Sequence, residues 1–366
     1  MWIKKLELTQ FRNYEKLDLD FSKGIQLLHG SNGQGKTSIL EAIALAAYLK
    51  SFRASNFRNI VRFGSQYYRI SSVFGEKKKE KEVEQYFETG GGKPKKQYWV
   101  NKVTKKPSDV FGEVKIVVFS PEQLQLLLLG PEHRRKYLNF LLVQNMPRLW
   151  VDLVGYNEIL KQRNMLLQRI REGSARRDEL EYWDNELVEK GVKIINARIQ
   201  IVSSLNKNFG EYLQLIANQK HEAEIVYRDG VGAWNSDNNV EQAMRLGLEK
   251  SYEYDMREAV THKGPHRDNF ELHVDKKDLM KFGSRGELRT AVLAMKFSEK
   301  DFLSQGSEPI FLFDDVFSEL DDKRRDVVLD LIGKNQALIT SAELSHMPKR
   351  SDVALYSIKN AKVKKK

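Results

Sequence analysis

The chain of 366 residues has no cysteine. Disulfides and thiolate metal sites are therefore excluded. No uninterrupted apolar run approaches the roughly 18–20 residues that span a bilayer, so no membrane association is expected. Met1-Trp2-Ile3-Lys4 opens directly into an alternating, strand-like pattern. It does not show the charged-then-apolar order of a secretory signal, and a cytoplasmic protein is the expectation. No fixed-period repeat is evident, and no cluster of metal-binding residues suggests a nuclease. Acidic residues are also in deficit, 50 against 61 basic ones, for a net charge of +11. That balance favours a polyanionic partner, through counterion release from a phosphate backbone.

What is present is a phosphate-binding loop. Gly30-Ser31-Asn32-Gly33-Gln34-Gly35-Lys36-Thr37 follows the strand-like Ile25–His29 and precedes apolar residues at helical spacing, Ile39, Leu40, Ile43, Ala44 and Ala47. Strand, glycine loop and helix form the context that validates a G-x-x-x-x-G-K-T pattern. The glycines let backbone N–H groups approach phosphate oxygens, and the helix N-terminus adds partial positive charge. Lys36 is expected to reach the β- and γ-phosphates of ATP, and the Thr37 hydroxyl to ligate Mg2+.

Much later, the apolar, strand-like Pro309–Phe313 ends in Asp314 and Asp315. Asp314 suits the Mg2+ water shell, and Asp315 is the candidate to polarise an attacking water. Between the two motifs, Ser284-Arg285-Gly286-Glu287-Leu288-Arg289 resembles the signature loop of ABC-type ATPases. Ser284 would cap the helix that follows, and Gly286 would leave room for a phosphate. Ser318-Glu319-Leu320-Asp321 resembles the dimer-contacting loop of the same class. In those ATPases the signature loop touches nucleotide held by the other subunit. One loop of each kind per chain thus implies a two-fold homodimer with two ATPs in the seam, with Ser284, Gly286 and Glu287 as nucleotide-contacting candidates. Thr340 and Ser341 stand where many ABC ATPases carry a switch histidine, with His346 further on, and Glu122 and Gln123 occupy the place of the γ-phosphate-sensing loop. The missing histidine favours slow hydrolysis, with ATP acting mainly to hold the dimer.

Charge is concentrated in one strand-rich region. Lys77, Lys78, Lys79, Lys81, Lys93, Lys95, Lys96, Lys102, Lys105 and Lys106 surround a hairpin with Gly90-Gly91-Gly92 at its tip, interleaved with Tyr86, Phe87, Tyr98 and Trp99. DNA contact through a basic face is the expectation. The basic C-terminus, Lys362 with Lys364-Lys365-Lys366, reads as a frayed tail. Between residues 131 and 220 the pattern is helical. One helix ends before Pro147, another runs from Leu149 to Ile170, and a long third runs from about Arg177 to Ala217, with Gly191 and Gly210 as possible bends. The expected fold is α/β: an ABC-type P-loop ATPase head made from residues 1–120 and 221–366, with an inserted α-helical lobe at 121–220.

Five blocks together resemble the RecF family of bacterial DNA repair proteins: Leu6–Tyr14, Lys50-Ser51-Phe52-Arg53, Pro121–Asn139, Thr261–Phe270 and Asp314–Asp321. Leu129 stands where that family tends to have glycine, and Asn139 and Asn269 where it tends to have aspartate. The resemblance implies action at gapped DNA or single/double-strand junctions, with RecR and RecO helping to load RecA. The alternative is the nucleotide-binding subunit of an ABC-type transporter, which usually holds its motifs in a much shorter span than the one separating Lys36 from Ser284.

Overall fold

Alternation along Trp2–Phe11 (β1) buries Leu6, Leu8 and Phe11 and leaves Glu7 exposed, and Tyr14–Asp20 (β2) pairs back against it. Ile25–His29 (β3) leads through the phosphate loop into Lys36–Tyr48 (α1). An antiparallel run follows: Tyr67–Glu76 (β4), Lys79–Glu88 (β5), Lys95–Val100 (β6) and Val103–Thr104 (β7), then Ile116–Phe119 (β8). Helices take over at Pro131–Asn145 (α2), Leu149–Arg171 (α3) and Leu180–Ala217 (α4). Ala223–Arg228 (β9), Val240–Glu258 (α5), Asn269–Val274 (β10), Lys277–Asp278 (β11) and Arg285–Leu303 (α6) come next. The chain closes with Ile310–Asp314 (β12), Asp322–Ile332 (α7), Ala337–Ser341 (β13), Val353–Lys359 (β14) and Lys362–Lys365 (β15). This computed structural model describes residues 1–54, 56–77, 79–90, 92–121, 129–232, 239–304, 306–343 and 353–366.

The strands form three sheets, ordered β2-β1-β4-β5-β6-β7, β15-β14-β3-β13-β12-β8 and β11-β10-β9. In the second sheet β3 lies parallel between β13 and β14, and β12 lies parallel between β13 and β8. A strand from the start of the chain is thus inserted among strands from its end, and the phosphate loop meets Asp314 for that reason. All five residues of both β12 and β13 are buried, as parallel strands covered on both faces require. α1 packs on strands of the first two sheets. Ile39, Leu40, Ala42, Ile43, Ala44, Leu45 and Ala47 are fully buried, so the helix is buried around its whole girth rather than on one face.

The chain divides into two compact units, Met1–Gln125 with Glu211–Lys220 and Leu288–Lys366, and Leu126–Gly210 with His221–Glu287. The first is the head assembled from both ends. The boundaries differ from those read in the sequence, where 221–366 fell wholly in the head and 121–220 in the lobe. Residues 221–287 join the helical unit because α5 packs on α3 and β10 packs on α2. Leu166, Leu167 and Leu180 form a core there with Tyr252 and Met256. Glu211–Lys220, the end of the long helix, groups instead with the head, where the Tyr212 hydroxyl donates to Asp301 at 2.7 Å. α4 is one helix through Gly191 and Gly210. A Cβ on Gly191 would lie 2.5 Å from the Met244 methyl, so that glycine serves close packing of α5 rather than a bend.

The Thr261–Phe270 block is also structural in its contacts. Arg198 and Tyr227 both donate to the fully buried Asp268, whose other oxygen accepts from Gly230 N at 2.7 Å. His266 hydrogen-bonds Tyr156 Oη at 2.7 Å and Thr261 O at 2.9 Å. Burial, with Arg267 and Arg135 nearby, lowers the His266 pKa to about 4. Asn269, where the family tends to have aspartate, accepts from Arg134 Nε at 2.6 Å. The basic C-terminus is not a frayed tail: Lys362–Lys365 is the edge strand β15, and lysines on a sheet edge discourage strand addition.

Candidate nucleotide site

The loop between β3 and α1 takes its shape from glycine. Gly33 and Gly35 have φ of +79° and +111°, which other residues rarely adopt. A Cβ on Gly30 would lie 2.2 Å from Ile358 O, so β14 closes against the loop. The loop is also held from outside. The buried Tyr14 hydroxyl donates to Gly35 O at 3.2 Å, and Gln34 Oε1 accepts from Asn360 N at 2.5 Å at the β14–β15 turn. Tyr14 belongs to one of the family-like blocks, and this contact is what it does. Burial pushes its phenol pKa up.

Lys36 Nζ donates to Gly30 O at 2.5 Å and Ser31 O at 3.0 Å, folded back over the loop it belongs to. Desolvation lowers its pKa, against the raising effect of Asp315 and Asp314. Asp314 Oδ1 accepts from the Thr37 hydroxyl at 2.8 Å and from the Thr340 hydroxyl at 2.8 Å. Thr340 Oγ1 in turn accepts from Asp315 N at 2.9 Å. Thr340 therefore orients both carboxylate-bearing residues. Asp315 sits at φ +53°, a left-handed conformation that aspartate tolerates better than most residues. Thr37 Oγ1 and Asp314 Oδ1 are adjacent hard oxygen donors, the donor set that suits Mg2+.

Lys36, Thr37, Asp315 and Thr340 line an open pocket of about 760 Å3. Asn32, Gly33, Gly35, Lys36, Thr37, Asp315 and Thr340 contribute to it, whereas Gly30, Ser31, Gln34 and Asp314 are not among its lining residues. Residues to which the sequence reading gave no role contribute too: Arg12, Asn13, Arg53, Asn59, Arg62 and Phe63. Arg12 is oriented by Glu41, a fully buried acid on α1, through Nε at 2.8 Å and Nη2 at 2.6 Å. Only the family-like blocks around Arg12 and Arg53 hinted at this wall.

Ser284, Gly286 and Glu287 belong to the second unit. Ser284 is a helix cap, as expected: its hydroxyl accepts from Glu287 N at 3.3 Å, and Glu287 Oε2 accepts from Ser284 N at 2.7 Å. Those bonds lower the Glu287 pKa. Nothing lies within 4 Å of a Cβ placed on Gly286. In the loop after Asp315, Asp321 caps α7 by accepting from Arg324 N at 2.9 Å, and Glu319 pairs with Arg289 at 3.1 Å. Glu122, Gln123 and His346 lie outside the described residues.

The lysine-rich hairpin is less uniform than its sequence. Lys78 and Gly91 lie outside the described residues. Lys81 pairs with Glu113 at 2.6 Å, and Lys96 lies 3.9 Å from the Phe57 ring centre. Phe87 and Tyr98 are core residues, whereas Tyr86 and Trp99 are half-buried. Lys77, Lys79, Lys93, Lys95, Lys102 and Lys106 stay exposed. In the second unit Glu271, His273 and Asp278 come together, but Arg228 pairs with Glu271 at 3.2 Å and Lys281 with Asp278 at 3.1 Å. Those cations already balance the acids, and the group reads as an ion-pair cluster. Among the described residues no helix is long and apolar enough to cross a membrane.

Residues 2–365 match the family described as RecF/RecN/SMC N terminal domain. The chain is 35% identical over 344 residues to the DNA replication and repair protein RecF of Thermoanaerobacter sp. (strain X514), covering 93% of this chain and 94% of that one. Its fold is similar to the recombination mediator protein RecF-ATP of the RecFOR pathway, with a TM-score of 0.90, 32% identity, and coverage of 100% of this chain and 97% of that one. An Smc head bound to the C-winged helix domain of ScpA aligns with a TM-score of 0.59 at 16% identity, covering 100% of this chain and 97% of that one, a likeness of fold alone.

Proposed function

The chain belongs to the RecF family, and on that premise we propose that it is an ATP-dependent DNA-binding protein of replication and recombinational repair. The observation that carries this reading is the junction of Thr37, Asp314, Thr340 and Asp315 beside Lys36, built from the two ends of the chain. ATP binds with its phosphates on the amides of Gly30–Thr37, and Lys36 leaves the carbonyls of Gly30 and Ser31 to meet them. Thr37 and Asp314 would hold Mg2+, which neutralises phosphate charge when bound. Asp315 polarises the attacking water and is the catalytic residue of a weak, DNA-stimulated ATPase. Ser284, Gly286 and Glu287 of one protomer cover the ATP of its partner, so ATP assembles a homodimer and slow hydrolysis releases it.

The dimer grips gapped or junction DNA through its basic surface and works in the cytoplasm with RecR and RecO to load RecA. A transporter subunit is disfavoured by near end-to-end similarity to a replication and repair protein. The test is a DNA-binding titration of wild type and Lys36→Met on gapped, duplex and single-stranded substrates, with and without ATP. Wild type should bind gapped DNA tightly only with ATP, and the variant should lose that increment. Binding indifferent to nucleotide in wild type would sink the proposal.

A further inference from the structure

Phe63 is fully exposed, the most exposed large apolar side chain among the described residues, and it lines the same pocket as Lys36, Thr37 and Asp315. A lone exposed ring is common on protein surfaces, and on a pocket wall its flat apolar face is available to whatever the pocket holds. The Phe63 backbone is firmly placed. Arg12 N donates to Ile60 O at 2.8 Å and Arg62 N to Gln10 O at 2.9 Å, with Val61 bridging Phe11. Arg12 Nη1 also donates to Asn59 O at 2.6 Å. A tight turn follows, closed by Ser65 N to Arg62 O at 2.9 Å with Gly64 at φ +82°. The end of β1 thus holds Phe63 at the tip of a braced turn.

Lys36 and the loop amides meet the demands of a triphosphate, and an uncharged ring adds nothing to them. The part of a nucleotide that a flat apolar face can recognise is its base. We propose that Phe63 is the platform on which the base of the bound nucleoside triphosphate stacks, with Val61 and Asn59 on the same wall. The proposal rests on the nucleotide-site reading and adds base recognition to it. Purines, with the larger π-surface, should gain most, and each base–aromatic stack is worth on the order of ten-fold in affinity.

The experiment is calorimetric titration of wild type, Phe63→Ala and Phe63→Trp with ATP, CTP and inorganic tripolyphosphate, at protein concentrations where each stays monomeric. Phe63→Ala should weaken ATP about ten-fold and CTP less, with tripolyphosphate affinity unchanged, and Phe63→Trp should restore ATP binding. Thermal melts should be superimposable, since an exposed ring is being removed. Equal ATP affinity in Phe63→Ala and wild type overturns the proposal, and so does a parallel loss for ATP and tripolyphosphate, which would mean loop distortion. Intact monomer affinity with lost ATP-dependent dimerisation overturns it in favour of a contact with a second copy. Failure of wild type to bind either ATP or tripolyphosphate overturns the nucleotide-site reading together with this one.

Discussion

Glu41 offers the sharpest test of how the head supports its pocket. Its carboxylate is fully buried and accepts from Arg12 Nε at 2.8 Å, Arg12 Nη2 at 2.6 Å and the Ser51 hydroxyl. Ser51 Oγ accepts in turn from Arg53 N at 2.9 Å and Ala54 N at 2.7 Å, so one acid on α1 organises two stretches of the pocket wall. Glu41→Gln keeps the shape but strands the Arg12 guanidinium, which is only 22% exposed. Breaking a buried pair from one side costs about 3–5 kcal/mol, and partial solvation of Arg12 puts this variant near the lower figure. Arg12→Gln leaves the buried carboxylate without its cation and should cost about 4 kcal/mol. The double variant strands neither charge, so its loss should fall about 2 kcal/mol short of the sum. Urea denaturation followed by tryptophan fluorescence measures all three, and ATP titration should show weaker binding in each single variant. Singles that lose under about 1 kcal/mol, or strict additivity, would refute the reasoning.

Asp315→Asn should cut ATP turnover at least about ten-fold while ATP-dependent dimers persist longer, as read by phosphate release and size-exclusion chromatography. Unchanged turnover would place the catalytic carboxylate elsewhere. Ser284→Arg should keep monomer ATP affinity, lose about 1 kcal/mol of helix capping and block ATP-dependent dimerisation; lost monomer binding would show that this loop acts on its own chain's nucleotide. His266, with its folded pKa lowered to about 4, contributes stability that is fully present above pH 6.5 and lost as the pH falls toward 4. Melts should show about 3 kcal/mol of loss over that window in wild type and a flatter profile in His266→Gln.

The expectation of a phosphate site was drawn from the residues themselves. A glycine loop with Lys36 and Thr37 has few uses other than binding a phosphate, and two aspartates ending an apolar strand have few places to go in a P-loop fold. Helix starts and stops in the second unit were also local matters, set by Pro131, Pro147 and the period of apolar side chains. What needed the tertiary structure was partnership at a distance. The order β14-β3-β13-β12 brings Thr37 and Thr340 onto one oxygen of Asp314, and no periodicity encodes which strand lies beside which. Residues 221–287 left the head for the helical unit because α5 packs on α3 and β10 packs on α2, contacts between segments about a hundred residues apart. The frayed tail became β15 because β14 offered it hydrogen bonds, and lysine composition carries no information about a neighbouring strand. Glu41 and Phe63 show the same divide: the sequence by itself singles out neither. Burial against Arg12 and exposure at the pocket wall give them their parts, and both follow from packing between segments far apart in the chain.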